Sequence, residues 1–429
     1  MRRPAPLLGR RSVLLGSAAM TAAAASGCSS YNTVSDRQYG ACRFDAEYLV
    51  AGSQENCWPA TGTPTDLAWH LRKMNVPQAW AWSKDKGRAS RGEGIVIGHV
   101  DTGVAEHEAF KAGGILWERG YDFIEKVHGG YDPLINHIEY LEQIGHGTAT
   151  ASVIVSRGEV EEWTPGKGKY RKDNAPPETE EEKTKREKKD AEYSNDTPAV
   201  CHGTGKPGRI TGVSPAANLI PARAFRLAAT RNLGIVTEAV NYLVDQRVDV
   251  ITMALGWVFP DHGLTAAIQR AVKANILVLA AAGNFVPWVV FPANGGDAIA
   301  VAGLGPDDKP WCGGATGSAV MVSAYGDKVW RAYRDEKSNR QDVISPRFGT
   351  SFAVSMTAGV AALWLAHYGR DRLIADAERL RYPTLQSAFR EALRHRSRKP
   401  DNWKKYNGAL GFGIVDALAL VKEEKPLAF

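Results

Sequence analysis

A hydroxyl, an imidazole and a carboxylate stand at three positions of the chain where chemistry tends to gather. Ser351 lies in Phe348-Gly349-Thr350-Ser351, a tight turn that runs into the apolar, alanine-rich stretch from Phe352 to Leu363. That pattern predicts a helix with Ser351 at or near its N-terminus. There the unpaired backbone N–H groups and the positive end of the dipole face whatever the serine attacks. Negative charge develops beside a nucleophilic hydroxyl in acyl transfer, so the position suits a nucleophile; it equally suits a serine that merely caps the helix. His146 sits in Gly145-His146-Gly147-Thr148, ahead of the apolar run Ala149 to Val155. Its flanking glycines let a substrate or another backbone approach the imidazole, although a histidine at a helix start is often structural. Asp101 follows Gly94 to Val100, a short apolar run bounded by glycines that reads as a buried parallel strand. Functional groups collect at the carboxyl ends of such strands, and carboxylates that simply begin a turn are also common there.

These residues need a scaffold, and the rest of the chain supplies its pattern. A helix is expected over Ile235–Asp245, where Val236, Ala239, Val240, Leu243 and Val244 fall at helical spacing. Strand Val248–Leu255, helix Leu264–Ala274, strand Ile276–Ala282 and strand Ala298–Ala302 follow, then charged helices between Asp371 and Arg398. Buried strands alternating with amphipathic helices predict an α/β fold of three layers, a mostly parallel sheet with helices on both faces. Trp69–Trp80 reads as one short amphipathic helix packed on this domain. Residues 157–208 break the pattern: Glu178 to Asp190 is almost all charge of both signs, with too little apolar surface to offset the entropy of ordering. They are expected to form a disordered or marginally helical surface insertion.

Taken together, the motifs resemble the subtilisin-like serine peptidases. Asp101-Thr102-Gly103, His146-Gly147-Thr148 and Gly349-Thr350-Ser351 with Ala353 match that family's Asp, His and Ser motifs, in the order Asp, His, Ser that the family uses. Ala281-Ala282-Gly283-Asn284 matches its oxyanion-asparagine motif. Gly212 to Ala217, Phe291-Pro292-Ala293 and Gly413 to Ala417 resemble further landmarks. The likeness runs from about Ala68 to the C-terminus, apart from the charged insertion. The resemblance implies that Ser351 attacks a peptide carbonyl, that His146 relays its proton, and that Asp101 orients the imidazole. It makes Asn284 an oxyanion donor, with the Ser351 backbone N–H as the second. An extended substrate would add as a strand beside Ala254-Leu255-Gly256, pairing through main-chain groups. Trp257, Gly283 and Phe285 would border the same cleft, narrowing it toward apolar side chains.

The chain departs from the family in places. Phe352, Ala353, Val354 and Ser355 follow the serine where Met, Ala, a small residue and Pro are usual. Ala149-Thr150-Ala151-Ser152 replaces His-Val-Ala-Gly after the histidine motif. Residues 29 to 90 are short and poorly patterned for an inhibitory pro-domain. No calcium-binding loop is assigned and no cofactor is called for.

Composition and the N-terminus bear on location. The 429 residues carry a formal charge of +6, and 44% are hydrophobic; with no interleaving of basic and aromatic residues, nucleic acid is not an expected partner. Met1 to Arg11 is arginine-rich without acids and Ser12 to Ser26 is small and apolar, too short to span a membrane. Arg10-Arg11-Ser12-Val13-Leu14-Leu15 resembles a twin-arginine export signal. Ala25-Ser26-Gly27-Cys28 resembles a bacterial lipoprotein cleavage box, with Ala25 where Leu is usual. The expected organisation is therefore a signal at 1–27, a lead segment at 28–67 and a peptidase domain at 68–425, tethered to a membrane of a bacterial envelope through a lipidated Cys28. Cys42, Cys57, Cys201 and Cys312 allow three pairings, of which Cys42 with Cys57 is the expected one. The competing readings are a catalytically silent binding lipoprotein and a peptide acyl transferase using the same three residues.

Overall fold

The computed structural model describes residues 66–135, 143–158, 199–200, 210–334, 341–401, 403–406 and 408–427. The expected export signal, Cys28, the Cys42–Cys57 pairing, almost all of the lead segment and most of the charged insertion lie outside the described residues.

Among the described residues two short helices come first, α1 (Trp69–Lys73) and α2 (Val76–Asp85). The single helix expected over this stretch is broken at Asn75, whose φ is 55°. Pro77 accounts for the break. In the first turn of a helix a proline needs no N–H partner, whereas inside a continuous helix it would forfeit a hydrogen bond and clash with the preceding turn. The Asn75 side-chain amide donates to Asp416 Oδ2 at 2.7 Å and so ties the break to the C-terminal part of the domain.

The succession continues with β1 (Val96–Asp101), β2 (Tyr121–Asp122), β3 (Val127–His128), α3 (His146–Val155), β4 (Ala199–Val200), β5 (Asn218–Arg223), α4 (Leu233–Asp245), β6 (Val250–Met253), α5 (His262–Lys273), β7 (Leu277–Ala281), β8 (Ile299–Leu304), β9 (Val322–Tyr325), β10 (Val329–Ala332), β11 (Val343–Arg347), α6 (Thr350–Tyr368), α7 (Arg370–Arg379), α8 (Leu385–Arg396) and α9 (Ala417–Val421). Eight strands form the main sheet in the order β3-β2-β5-β1-β6-β7-β8-β9. All its pairings are parallel except β2 with β3. Every residue of β6, β7 and β8 is buried, as expected of parallel strands covered on both faces.

Strand β1 lies between β5 and β6, so the chain passes to one side of it and then to the other. Such a reversal opens a crevice at the carboxyl end of the strand, and Asp101 is the residue found there. Side chains alternate along β1. Gly98 faces Leu243 of α4, while His99 and Asp101 face Thr150 and His146 of α3, which puts α3 and α4 on opposite faces of the sheet.

Helix α6 is the core of the domain. It packs on β6, β7, β8 and β9 and against α3 and α9. All its residues except Ala366 are buried. It is long and apolar enough to cross a membrane by length and composition, yet 94% of it is enclosed within the protein. A helix apolar all round is stable in water only when surrounded in this way.

The charged insertion leaves and rejoins the domain at one point. Arg157 bridges Thr211, and the Gly158 N–H donates to the Ile210 carbonyl at 3.0 Å. One part of it is not the structureless segment expected from its charge: β4 pairs antiparallel with β11, which also pairs with β10.

Candidate active site

Three elements converge on one point. Asp101 ends β1 and is fully buried, His146 opens α3, and Ser351 is the second residue of α6. His146 Nδ1 lies 2.6 Å from Asp101 Oδ1, and its Nε2 lies 3.1 Å from Ser351 Oγ. The approach of α3 to the end of β1 depends on Gly147. A β-carbon there would stand 2.0 Å from the Gly103 carbonyl oxygen, so only glycine lets the imidazole reach the carboxylate.

The carboxylate is held on several sides. Asp101 Oδ1 also accepts the Thr102 N–H at 2.7 Å, and Oδ2 accepts the Thr150 hydroxyl at 2.9 Å. Thr102 Oγ1 accepts the Gly147 N–H at 3.0 Å and donates to Asp132 Oδ2 at 2.8 Å. Burial alone would raise the Asp101 carboxyl, but the charge and hydrogen bond of His146, with His99 and the Thr102 N–H, bring it below the ordinary value. Burial lowers His146, and Asp101 more than reverses this, leaving the imidazole above its usual value. Burial pushes the Asp132 carboxyl up to about 6.

Asn284 follows β7 and is oriented by its neighbours. Its Oδ1 accepts both the Thr350 N–H, at 2.9 Å, and the Thr350 hydroxyl, at 2.8 Å. The Nδ2 amide is thereby left facing Ser351. A methyl group placed on Gly349, whose φ is 144°, would lie 3.5 Å from Asn284 Nδ2 and 3.8 Å from Ser351 Oγ. The two polar groups thus border one small space that glycine keeps clear.

The sequence-predicted cleft residues are placed as follows. Ala254 and Leu255 are buried. The Gly256 N–H already donates to the Ala228 carbonyl at 2.9 Å, and Trp257 exchanges both main-chain bonds with Phe291, at 2.8 and 2.9 Å. The Val290 side chain stands between Gly256 and Gly283, where β-carbons would lie 2.3 and 3.0 Å from its Cγ2. Phe285, at φ 57°, packs edge-on against Trp311, which lies against Phe348. Cys28, the predicted lipidation site, is outside the described residues. Sequence reasoning did not single out His99, Asp132, Thr350 or Val290, and it noted Thr150 only as a departure. His99 and Thr150 do carry a signal, since His99 is two residues before Asp101 on one strand face and Thr150 is four after His146 on one helix face.

Residues 92–413, more than half of the chain, match the subtilase family. The chain belongs to the subtilase family. It is a subtilisin-like serine peptidase, acting on peptide or protein substrates. Among its relatives, thermitase from Thermoactinomyces vulgaris is 27% identical over 314 residues, covering 72% of this chain and 87% of thermitase. A thermostable alkaline protease from Halalkalibacterium halodurans is 30% identical over 303 residues, covering 70% of this chain and 63% of that protein. A solved protease structure from Pseudoalteromonas arctica aligns over 85% of this chain and 99% of its own, with a TM-score of 0.59 and 20% identity. At that identity the likeness concerns the fold, which is the subtilase sheet with its surrounding helices.

Proposed function

We propose that this subtilase is an exported serine endopeptidase in which Ser351, His146 and Asp101 form the catalytic triad. The carrying observation is that His146 bridges the other two, at 2.6 Å to Asp101 and 3.1 Å to Ser351. Ser351 Oγ attacks the scissile carbonyl as His146 Nε2 takes its proton. The imidazolium that forms is held by the Asp101 charge and then protonates the leaving amine. The oxyanion is received by Asn284 Nδ2 and the Ser351 N–H, the latter unpaired because it lies in the first turn of α6. Water, activated by the same imidazole, then hydrolyses the acyl-enzyme.

Substrate adds along Ala254-Leu255-Gly256, with Gly283, Phe285 and Trp257 around it. Pairing through the Gly256 N–H would displace the hydrogen bond that this group makes to the Ala228 carbonyl. The twin-arginine-like signal and the cleavage box before Cys28 support export and a lipid tether, with residues 28–67 as the link between membrane and peptidase domain.

A fluorophosphonate probe tests the core of this reading. Wild type should label at Ser351, and Ser351→Ala should neither label nor cleave; a wild-type protein that stays unlabelled while folded overturns it. Incorporation of labelled fatty acid by wild type, lost in Cys28→Ala, tests the tether.

A further inference from the structure

His99 and Thr150 take no part in the mechanism just described, yet both are fully buried beside it. His99 Nε2 lies 2.9 Å from Thr150 Oγ1 and 3.5 Å from Asp101 Oδ2. The Thr150 hydroxyl has one proton and three acceptors within reach. Two are carbonyls of its own helix, His146 at 3.1 Å and Gly147 at 3.2 Å; the third is the Asp101 carboxylate at 2.9 Å. The shortest contact is also the one to a charge, so the proton goes to Asp101. Thr150 Oγ1 then accepts, and the only ring nitrogen of His99 near it must be the donor. His99 Nδ1 is buried with no partner. A proton there would be an orphaned donor, so His99 is the neutral tautomer protonated on Nε2. Burial takes His99 down to about 4, which keeps it neutral at working pH.

We propose that His99 and Thr150 are positioning residues for the triad carboxylate: a buried N–H to hydroxyl to carboxylate chain that fixes Asp101 Oδ2 and so aims Oδ1 at His146. The proposal rests on the triad reading above. Thr102 and His146 both engage Oδ1, so Thr150 is the contact that stops the carboxylate from turning about its Cβ–Cγ bond. Val is usual at the Thr150 position of the histidine motif that this chain resembles, whereas here the side chain carries a hydroxyl donor. Other charged or titratable groups also act on this cluster. They are Asp132, on the segment after β3, which raises His146, and Arg331, on β10, which lowers it.

The test uses the full-length enzyme, with active sites counted by fluorophosphonate titration so that each rate refers to correctly folded protein. Thr150→Val keeps the shape and removes the hydroxyl; Thr150→Ser keeps the hydroxyl. His99→Leu removes the donor; His99→Gln restores an N–H. Thr150→Val should lower kcat per titrated site about ten-fold with KM within two-fold, the size of a lost hydrogen bond to a charged group. Its kcat/KM acidic limb should move to higher pH, because a carboxylate with one donor fewer stabilises the imidazolium more. Thr150→Ser and His99→Gln should recover most of both effects, and His99→Leu, which keeps the Thr150 hydroxyl on Asp101, should change both in the same direction as Thr150→Val but by less. Thr150→Val sites with wild-type kcat and an unmoved pH profile would overturn the proposal, whatever happens to the melting temperature. Failure of wild type to label would instead remove the triad reading and this one with it.

Discussion

Thr350 gives both its main-chain N–H and its hydroxyl to a single atom, Asn284 Oδ1, at 2.9 and 2.8 Å. The residue before the proposed nucleophile therefore orients the residue proposed to receive the oxyanion. Asn284→Ala should lower kcat by about 10²–10³ with KM little changed, the magnitude known for loss of this donor in subtilisin. Thr350→Val removes one of the two restraints and should cost about ten-fold. The double variant should be hardly worse than Asn284→Ala alone, since both act through one amide. Steady-state kinetics on a peptide ester and a peptide amide give all three numbers.

Activity should follow the ionisation of His146. The imidazole must be neutral to accept the serine proton, and Asp101 holds its pKa above the usual value. The kcat/KM profile should therefore fall on acidification with a midpoint above that of a free imidazole. In Asp101→Asn the negative charge is gone and burial dominates, so the midpoint should move down while kcat drops by about 10⁴. A midpoint unmoved by this substitution would mean that another group controls the limb.

Stability should decline as pH falls from about 6.5 toward 4. Burial lowers His70, His99, His107 and His367 to about 4. Each stays neutral when folded but binds a proton when unfolded in that window, which favours the unfolded chain as pH falls. Asp132 and Asp327 oppose this, since burial raises them to about 6 and 7 and the folded state holds their protons. Asp249, also raised by burial, acts in the same sense as these two carboxylates, but the four histidines outnumber them, so stability should fall as pH drops below about 6.5. His146, raised rather than lowered, has the contrary sign, and its stabilisation is lost as pH climbs past its folded pKa. Urea denaturation of Ser351→Ala, which cannot digest itself, measures the curve.

Specificity should be set by Val290. Its side chain fills the slot between Gly256 and Gly283, beside the expected path of the substrate. Small apolar P1 side chains should be preferred over large ones, and Val290→Gly should admit leucine and phenylalanine. Cleavage profiling on a peptide library decides, and a wild-type preference for charged P1 residues would sink the assignment.

Much of this site could be read from local pattern. Asp101, His146, Ser351 and Asn284 each lie at the end of a strand or the start of a helix, where glycines and an abrupt change of periodicity mark the position. The parallel sheet was legible for the same reason: β7 and β8 are continuous apolar runs, and β6 is interrupted only by Thr252. What could not be read depends on contacts between elements. His99 looks like an incidental residue in an apolar strand until α3 is laid against β1. The two residues of β4 look like part of a disordered or marginally helical insertion until β11 offers an edge. Asn75 was legible only through Pro77, a cue outweighed by the apolar spacing on either side.

The neck of the charged insertion has a consequence for how this enzyme can diverge. Gly158 and Ile210 are already hydrogen-bonded, and Arg157 bridges Thr211. The domain thus meets the insertion as two chain ends held together. For a flexible connection between such ends, doubling its length costs only about 0.6 kcal/mol in closure entropy. Provided Ala199 and Val200 keep their pairing with β11, mutation can lengthen, shorten or rewrite the rest of the sequence beyond the neck with little thermodynamic penalty to the core, making this the position where new targeting or recognition sequences can be grafted while the chemistry is left alone.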